Sequence, residues 1–221
     1  LTHYHIDHVY GLYAFPEHLD VIAHELCRQK LLDVGERSLI EARASDPAFD
    51  EVILRFPTVT FDQGEMFLGA GKKTFQLIHL PGHTQDNIGV LFEEDEILFA
   101  GDAVMAIPII VDGAYEQAIA SMEHIKEIAP ETIVQGHGEV ILRGEVQKVL
   151  DVYIAYLECV HEQARKALDK GQDERSLWEI PLETCGLERV PLGIASHRLH
   201  VANIRSVYER LKVEREGEPE A

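Results

Sequence analysis

Three imidazoles and one carboxylate fall within six positions near the head of the chain, in Thr2-His3-Tyr4-His5-Ile6-Asp7-His8. Imidazole nitrogen and carboxylate oxygen are donors that hold zinc and similar divalent cations, and a structural role rarely demands them at such density. Alternate residues of an extended segment project to one side, so His3 and His5 are placed to grip one ion while Asp7 and His8 reach a neighbouring one. Three more candidates stand singly in later turns: His83 in Pro81-Gly82-His83-Thr84, Asp102 in Ala100-Gly101-Asp102-Ala103, and His137 in Gly136-His137-Gly138. The flanking glycines permit tight turns and close approach of backbone to a site. Two divalent cations sharing a water would bring its pKa toward neutrality and supply hydroxide at working pH. One ion would polarise a substrate carbonyl and the other steady a departing thiolate or alkoxide, so no serine or cysteine nucleophile is required. Asp7 is placed to hand a proton to the leaving group.

Each single candidate follows a run that reads as a strand, which would gather all of them at one edge of a sheet. Residues 58–92 alternate short β-like runs with turn residues, and Ile88 to Phe92 and Ile97 to Ala100 flank Glu93-Glu94-Asp95-Glu96 as an antiparallel hairpin would. Ala118, Met122, Ile125 and Ala129 sit at helical spacing before Pro130, and a strand over 132–134 then delivers His137. Val21-Ile22-Ala23 reads as a strand followed by helical turns. Val146, Val149, Tyr153, Leu157, Val160, Ala164 and Leu168 predict one long amphipathic helix closed by Gly171, and Val201, Ile204, Tyr208 and Leu211 a last one before a polar, acidic tail.

The ordered set H-x-H-x-D-H, then H, then D, then H resembles the pattern of the metallo-β-lactamase superfamily, over residues 3–137 and with all seven ligand positions filled. The resemblance implies that His3, His5 and His83 bind one metal, that Asp7, His8 and His137 bind the other, and that Asp102 bridges them. The cofactors would be two divalent ions, zinc first, with iron or manganese as alternatives. The fold implied is mixed α/β, an αββα sandwich in which two sheets pack face to face under helices. In that family several strands precede the first ligand motif. Residues 1–144 are therefore expected to be a metal-binding core lacking its N-terminal strands, and 145–221 a helical extension packed on the same domain. A longer natural chain, extending upstream of Leu1, is also expected.

The same resemblance narrows the reaction. True β-lactamases of the superfamily generally lack the bridging aspartate that stands here as Asp102, which disfavours antibiotics as the main substrate. Glyoxalase II-like thioesterases keep all seven ligands and a helical C-terminal part, but commonly read G-H-T-x-G-H where this chain has Gly82-His83-Thr84-Gln85-Asp86-Asn87. Lactonases also keep the seven. The reaction expected is hydrolysis of a small ester, thioester or lactone by hydroxide held between the metals. The alternative is a persulfide dioxygenase-like enzyme with a single iron on the residues matching His3, His83 and Asp102.

Composition excludes more than it selects. At 221 residues and 46% hydrophobic content the chain suits one sizeable core, and its net charge of −19 argues against a phosphate backbone as partner. Processing nucleases of the superfamily, with their basic surfaces, are disfavoured for that reason. No apolar run reaches the roughly 18 residues of a membrane span, and no basic-then-apolar leader is present. Cys27, Cys159 and Cys185 are odd in number and lack any C-x-x-C pair, so they read as buried or incidental thiols of a reducing, cytoplasmic compartment. A small-molecule substrate, no nucleic acid and no membrane are the partners expected.

His18, His24, His79, His124 and His161 have no ligand spacing, whereas His197 and His200 share a helical face that could look into the pocket. Its wall is expected from residues 25–57 and the helices after Gly144, with Arg28, Arg189, His197 and Arg198 as candidates to attract an anionic group.

Overall fold

Residues 1–5, without regular structure and bent at Tyr4, lead into a single helical turn, α1 (Ile6–Val9), in the computed structural model, which describes residues 1–187 and 194–217. The ligand-rich segment is therefore not extended throughout: the His8 N–H closes the turn on the His5 carbonyl at 3.0 Å. At about 3.6 residues per turn, neighbouring side chains fan around the axis instead of alternating. That is how the adjacent Asp7 and His8 are aimed.

β1 (Ile22–His24) runs straight into α2 (Glu25–Lys30), and a π turn over 31–35 carries the chain into α3 (Glu36–Ser45). β2 (Val59–Phe61) pairs with β1 in parallel, Ile22 opposite Val59. Ala23, Cys27, Leu31, Leu39, Ala42 and Val52 close a small core with Val9 and Tyr10. This unit is joined to the larger sheet through the first two residues. The Leu1 amino group donates to the Ile22 carbonyl at 2.8 Å, and the Thr2 carbonyl accepts from the Ile88 N–H at 2.9 Å.

The larger sheet contains β3 (Glu65–Ala70), β4 (Lys73–His79), β5 (Ile88–Phe92), β6 (Ile97–Phe99) and, after α4 (Tyr115–Ile128), β7 (Thr132–Val134). Its strands lie in sequence order and are antiparallel except for β6 and β7, which α4 connects in parallel. The acidic turn between β5 and β6 is pinned from β4: Lys73 Nζ reaches Asp95 at 2.6 Å and the Glu94 carboxylate accepts from the Thr74 N–H. α5 (Val146–Asp169) and α6 (Ile194–Gly217), the latter longer than its apolar spacing indicates, pack with α4 on this sheet. Leu150, Leu157 and Val160 of α5 share one core with Leu98 and Ile133 of the sheet and Met122 and Ile125 of α4. Burying each large apolar side chain there contributes about 1.5–3 kcal/mol.

Two expectations are corrected by this packing. The middle of α5 lies against a tight turn over Leu182–Cys185, and Cys159 and Cys185, 26 residues apart in sequence, form a disulfide with their Cα atoms 5.3 Å apart. Contact between distant segments creates the pair, which no local spacing announces. Only Cys27 is a free, buried thiol, so cysteine usage no longer argues for a reducing compartment. The second is corrected only in part: residues 25–57 form the small outer unit and do not line the large cavity described below, but Leu31, Val34, Gly35 and Ser38 line a smaller one beside His5 and Asp7. Among the described residues no helix is long and apolar enough to cross a membrane. Arg189 lies outside the described residues.

Candidate metal centre

All three single candidates occupy turns at the ends of strands, where glycine is a steric requirement. His83 follows β4 through Gly82, whose φ is +141° and where a Cβ would stand 2.3 Å from the Ala118 backbone. Asp102 follows β6 through Gly101, at φ +54°. Beyond β7, a Cβ on Gly136 would fall 1.8 Å from Asp102 Oδ1. Asn87 joins these turns: fully buried, it donates to the carbonyls of Leu80 at 3.2 Å and Ala100 at 3.3 Å, and its Oδ1 accepts from the Asp102 N–H at 3.1 Å. In the sequence it stands out only as a departure from the glyoxalase motif. Here it fixes the bridging candidate's backbone.

The structure brings all seven predicted residues together in two groups. In the first, His5 Nδ1 lies 3.1 Å from His3 Nε2 and 2.9 Å from His83 Nε2. In the second, His137 Nε2 lies 3.4 Å from His8 Nε2 and 3.0 Å from Asp7 Oδ2. Asp102 stands between them: its carboxylate is 3.8 Å from His3, 3.4 Å from His83, 3.3 Å from His8 and 3.6 Å from His137.

Hydrogen bonds on the outer side of the rings decide which nitrogens face inward. The Ile109 carbonyl, which can only accept, receives a hydrogen bond from His83 Nδ1–H at 2.8 Å. The Asp112 carboxylate accepts one from His5 Nε2–H at 3.0 Å and another from the Tyr4 hydroxyl at 3.1 Å. Thr2 Oγ1 lies between the two groups, 3.2 Å from His3 Nδ1 and 3.3 Å from His8 Nδ1. With those protons committed outward, His5 Nδ1 and His83 Nε2 face each other as lone pairs, an arrangement that needs positive charge between them. Asp102 Oδ1 is buried with no donor aligned on it. This donor set fits divalent metal.

For His3 and His83 the electrostatics agree. Burial, reinforced by the charges of His8 and His83, lowers the His3 pKa to about 2, and burial also lowers that of His83. Both stay neutral, the form a metal binds. Burial would raise the Asp102 pKa, but the adjacent imidazoles of His8, His83 and His3 prevail and hold it at about 2. For His8 burial works downward, yet Asp102 and Asp7 outweigh it and the pKa is raised.

Other candidates lie elsewhere. His200 is buried with Nδ1 3.1 Å from the Tyr156 hydroxyl, and His197 donates to the Trp178 carbonyl at 2.9 Å. Neither lines the cavity over the metal centre, whereas Leu199 between them does. Arg28 pairs with Glu25 at the surface, and Arg198 lines a separate depression with Arg205. His24, without ligand spacing, caps α2 through Nδ1 and stacks on His79.

Residues 1–137 match the sequence profile of the Metallo-beta-lactamase superfamily. The chain belongs to that superfamily. A metallo-beta-lactamase family protein from Thermus thermophilus superposes with a TM-score of 0.64 at 19% identity, over 98% of this chain and 74% of the other, which shows the shared fold. The chain is 27% identical over 177 residues to a Beta-lactamase-like protein 2 homolog of Caenorhabditis elegans, covering 80% of this chain and 53% of that protein. It is 26% identical over 156 residues to the hydroxyacylglutathione hydrolase GloC of Haemophilus influenzae, covering 67% of this chain and 71% of that one. The chain thus spans about half the length of the nematode relative.

Proposed function

We propose that this superfamily member is a dinuclear metal-dependent hydrolase that cleaves a small ester, thioester or lactone. The carrying observation is Asp102, a carboxylate 4% exposed and within 3.8 Å of four imidazoles drawn from both groups. His3, His5 and His83 would hold one ion, Asp7, His8 and His137 the other, and Asp102 both, with zinc as the metal and iron or manganese able to use the same donors. Ions bound there would supply hydroxide near neutral pH and a Lewis acid for the carbonyl.

The chain's own contribution is orientation and proton handling. Ile109 and Asp112 hold His83 and His5 in the tautomers that point lone pairs inward. Asn87 fixes the Asp102 backbone. Asp7, half exposed and opening on the cavity, is the carboxylate placed to hold a proton for the leaving group. No serine, threonine or cysteine is among the described residues lining that cavity, so none of those three nucleophiles competes there. The Haemophilus relative's activity supports the thioester part of the reading. Residues 1–144 would be the catalytic core and 145–221 a helical extension completing its wall.

The test is hydrolysis of 4-nitrophenyl acetate by zinc-loaded protein beside a chelator-treated preparation. Turnover that returns with added zinc supports the reading. Undiminished turnover in metal-free protein would refute it.

A further inference from the structure

The geometry points to an uncharged, apolar acyl group as what the cavity over the metal centre takes, an inference that rests on the hydrolase reading above. The cavity encloses about 1010 Å³ and is continuous with the candidate ligands, since His5, Asp7, His83, Asp102 and His137 all face it. A group held there would sit beside the reacting carbonyl. Away from those ligands one side of the wall is Met105, Ile107, Ile109, Tyr153 and Leu199, supplied by the segment after Asp102 and by α5 and α6, and the turn after β7 adds Gln135 and Glu139.

Its polar groups are engaged with one another. The Tyr153 hydroxyl donates to Gln135 Oε1 at 3.3 Å, and Gln135 Nε2 donates to the Glu139 carbonyl at 2.6 Å. What these residues offer a ligand is mainly ring and methylene surface. The charge points the same way. Apart from the candidate ligands, Glu139 is the ionisable acid on the wall, and no lysine or arginine is among the described lining residues. Beyond the candidate metal ligands, a substrate carboxylate would meet Glu139 with no lysine or arginine among the described lining residues to pair it, on a chain of net charge −19. A glutathione thioester carries such carboxylates, whereas an aliphatic acyl chain carries none. Each methylene buried on such a wall is worth about fourfold in binding.

The test compares kcat/KM of the zinc-loaded protein on 4-nitrophenyl acetate, butyrate, octanoate and monosuccinate. Octanoate should exceed butyrate by at least about tenfold, and the monosuccinate should not exceed the acetate. Leu199→Lys should erase most of the octanoate advantage while improving the monosuccinate, and Ile109→Ala should reduce the octanoate advantage if the lysine variant does not fold. Equal values across the series, or preference for the monosuccinate, would overturn the inference. If no ester is cleaved, the hydrolase reading fails, and calorimetry of the same protein with octanamide, acetamide and succinamate decides the apolar class separately. Octanamide should bind tightest; its failure to bind, or tighter binding of succinamate, would overturn the inference.

Discussion

His3, His83 and Asp102 are buried, and each ring of the first group has an outer partner: Thr2 for His3, Asp112 for His5 and the Ile109 carbonyl for His83. In the second group Asp7 and His137 are each 53% exposed, and the outer contact found there is from His8 to Thr2. The first group is held ready before any ion arrives, so little ordering is left for binding to do. The second relies on two solvent-facing side chains whose rotamers binding must fix. The two halves should therefore differ in affinity, with the first ion bound tightly and the second loosely, and Asp102 should couple them.

Four substitutions test that contrast. Asp102→Ala removes the shared carboxylate. Both ions should be lost on gel filtration and hydrolysis should fall more than about a hundredfold, beyond the usual loss from removing an outer-shell partner; retention of either ion would show that the halves are independent. Gly136→Ala forces a methyl against Asp102 Oδ1. It should also disturb both ions, with an overpacking penalty of about 1–3 kcal/mol in denaturant unfolding, and a variant with unchanged metal content would mean the turn can relax. His137→Ala should release only the second ion, leaving one per chain by elemental analysis, and loss of both would erase the proposed asymmetry. Asp112→Ala should weaken the first ion by about 10- to 100-fold in chelator competition while leaving the fold intact. An unchanged affinity would mean that His5 needs no outer partner.

Local patterns made most of the fold legible. The β5–β6 hairpin follows from two apolar runs around four acidic residues, and α4 and α5 from apolar spacing closed by Pro130 and Gly171. The seven candidate residues stand out because their types are rare in such density, and the fold brings them near one another. Long-range pairing is not legible. Asp112 is one of many acids in an acidic chain, and its value lies in meeting His5 from 107 positions away. Asn87 gains its role from the Leu80 carbonyl on one side and the Ala100 carbonyl and Asp102 N–H on the other, two stretches that only the fold brings to it. The Cys159–Cys185 disulfide likewise depends on how the Leu182–Cys185 turn meets α5, and the placement of Leu199 on the cavity wall on how α6 docks. The turn at α1 is not legible because alternation of ligands suits an extended segment, whereas the helical turn is set by a backbone bond to His5.

Metal stoichiometry tests the two-group centre most directly. Elemental analysis of the purified, metal-saturated chain, with oxygen uptake followed in parallel, should find two zinc or manganese ions per chain, one resisting a chelator longer than the other, and no oxygen consumption. A single iron per chain with oxygen consumed on a persulfide substrate would contradict it.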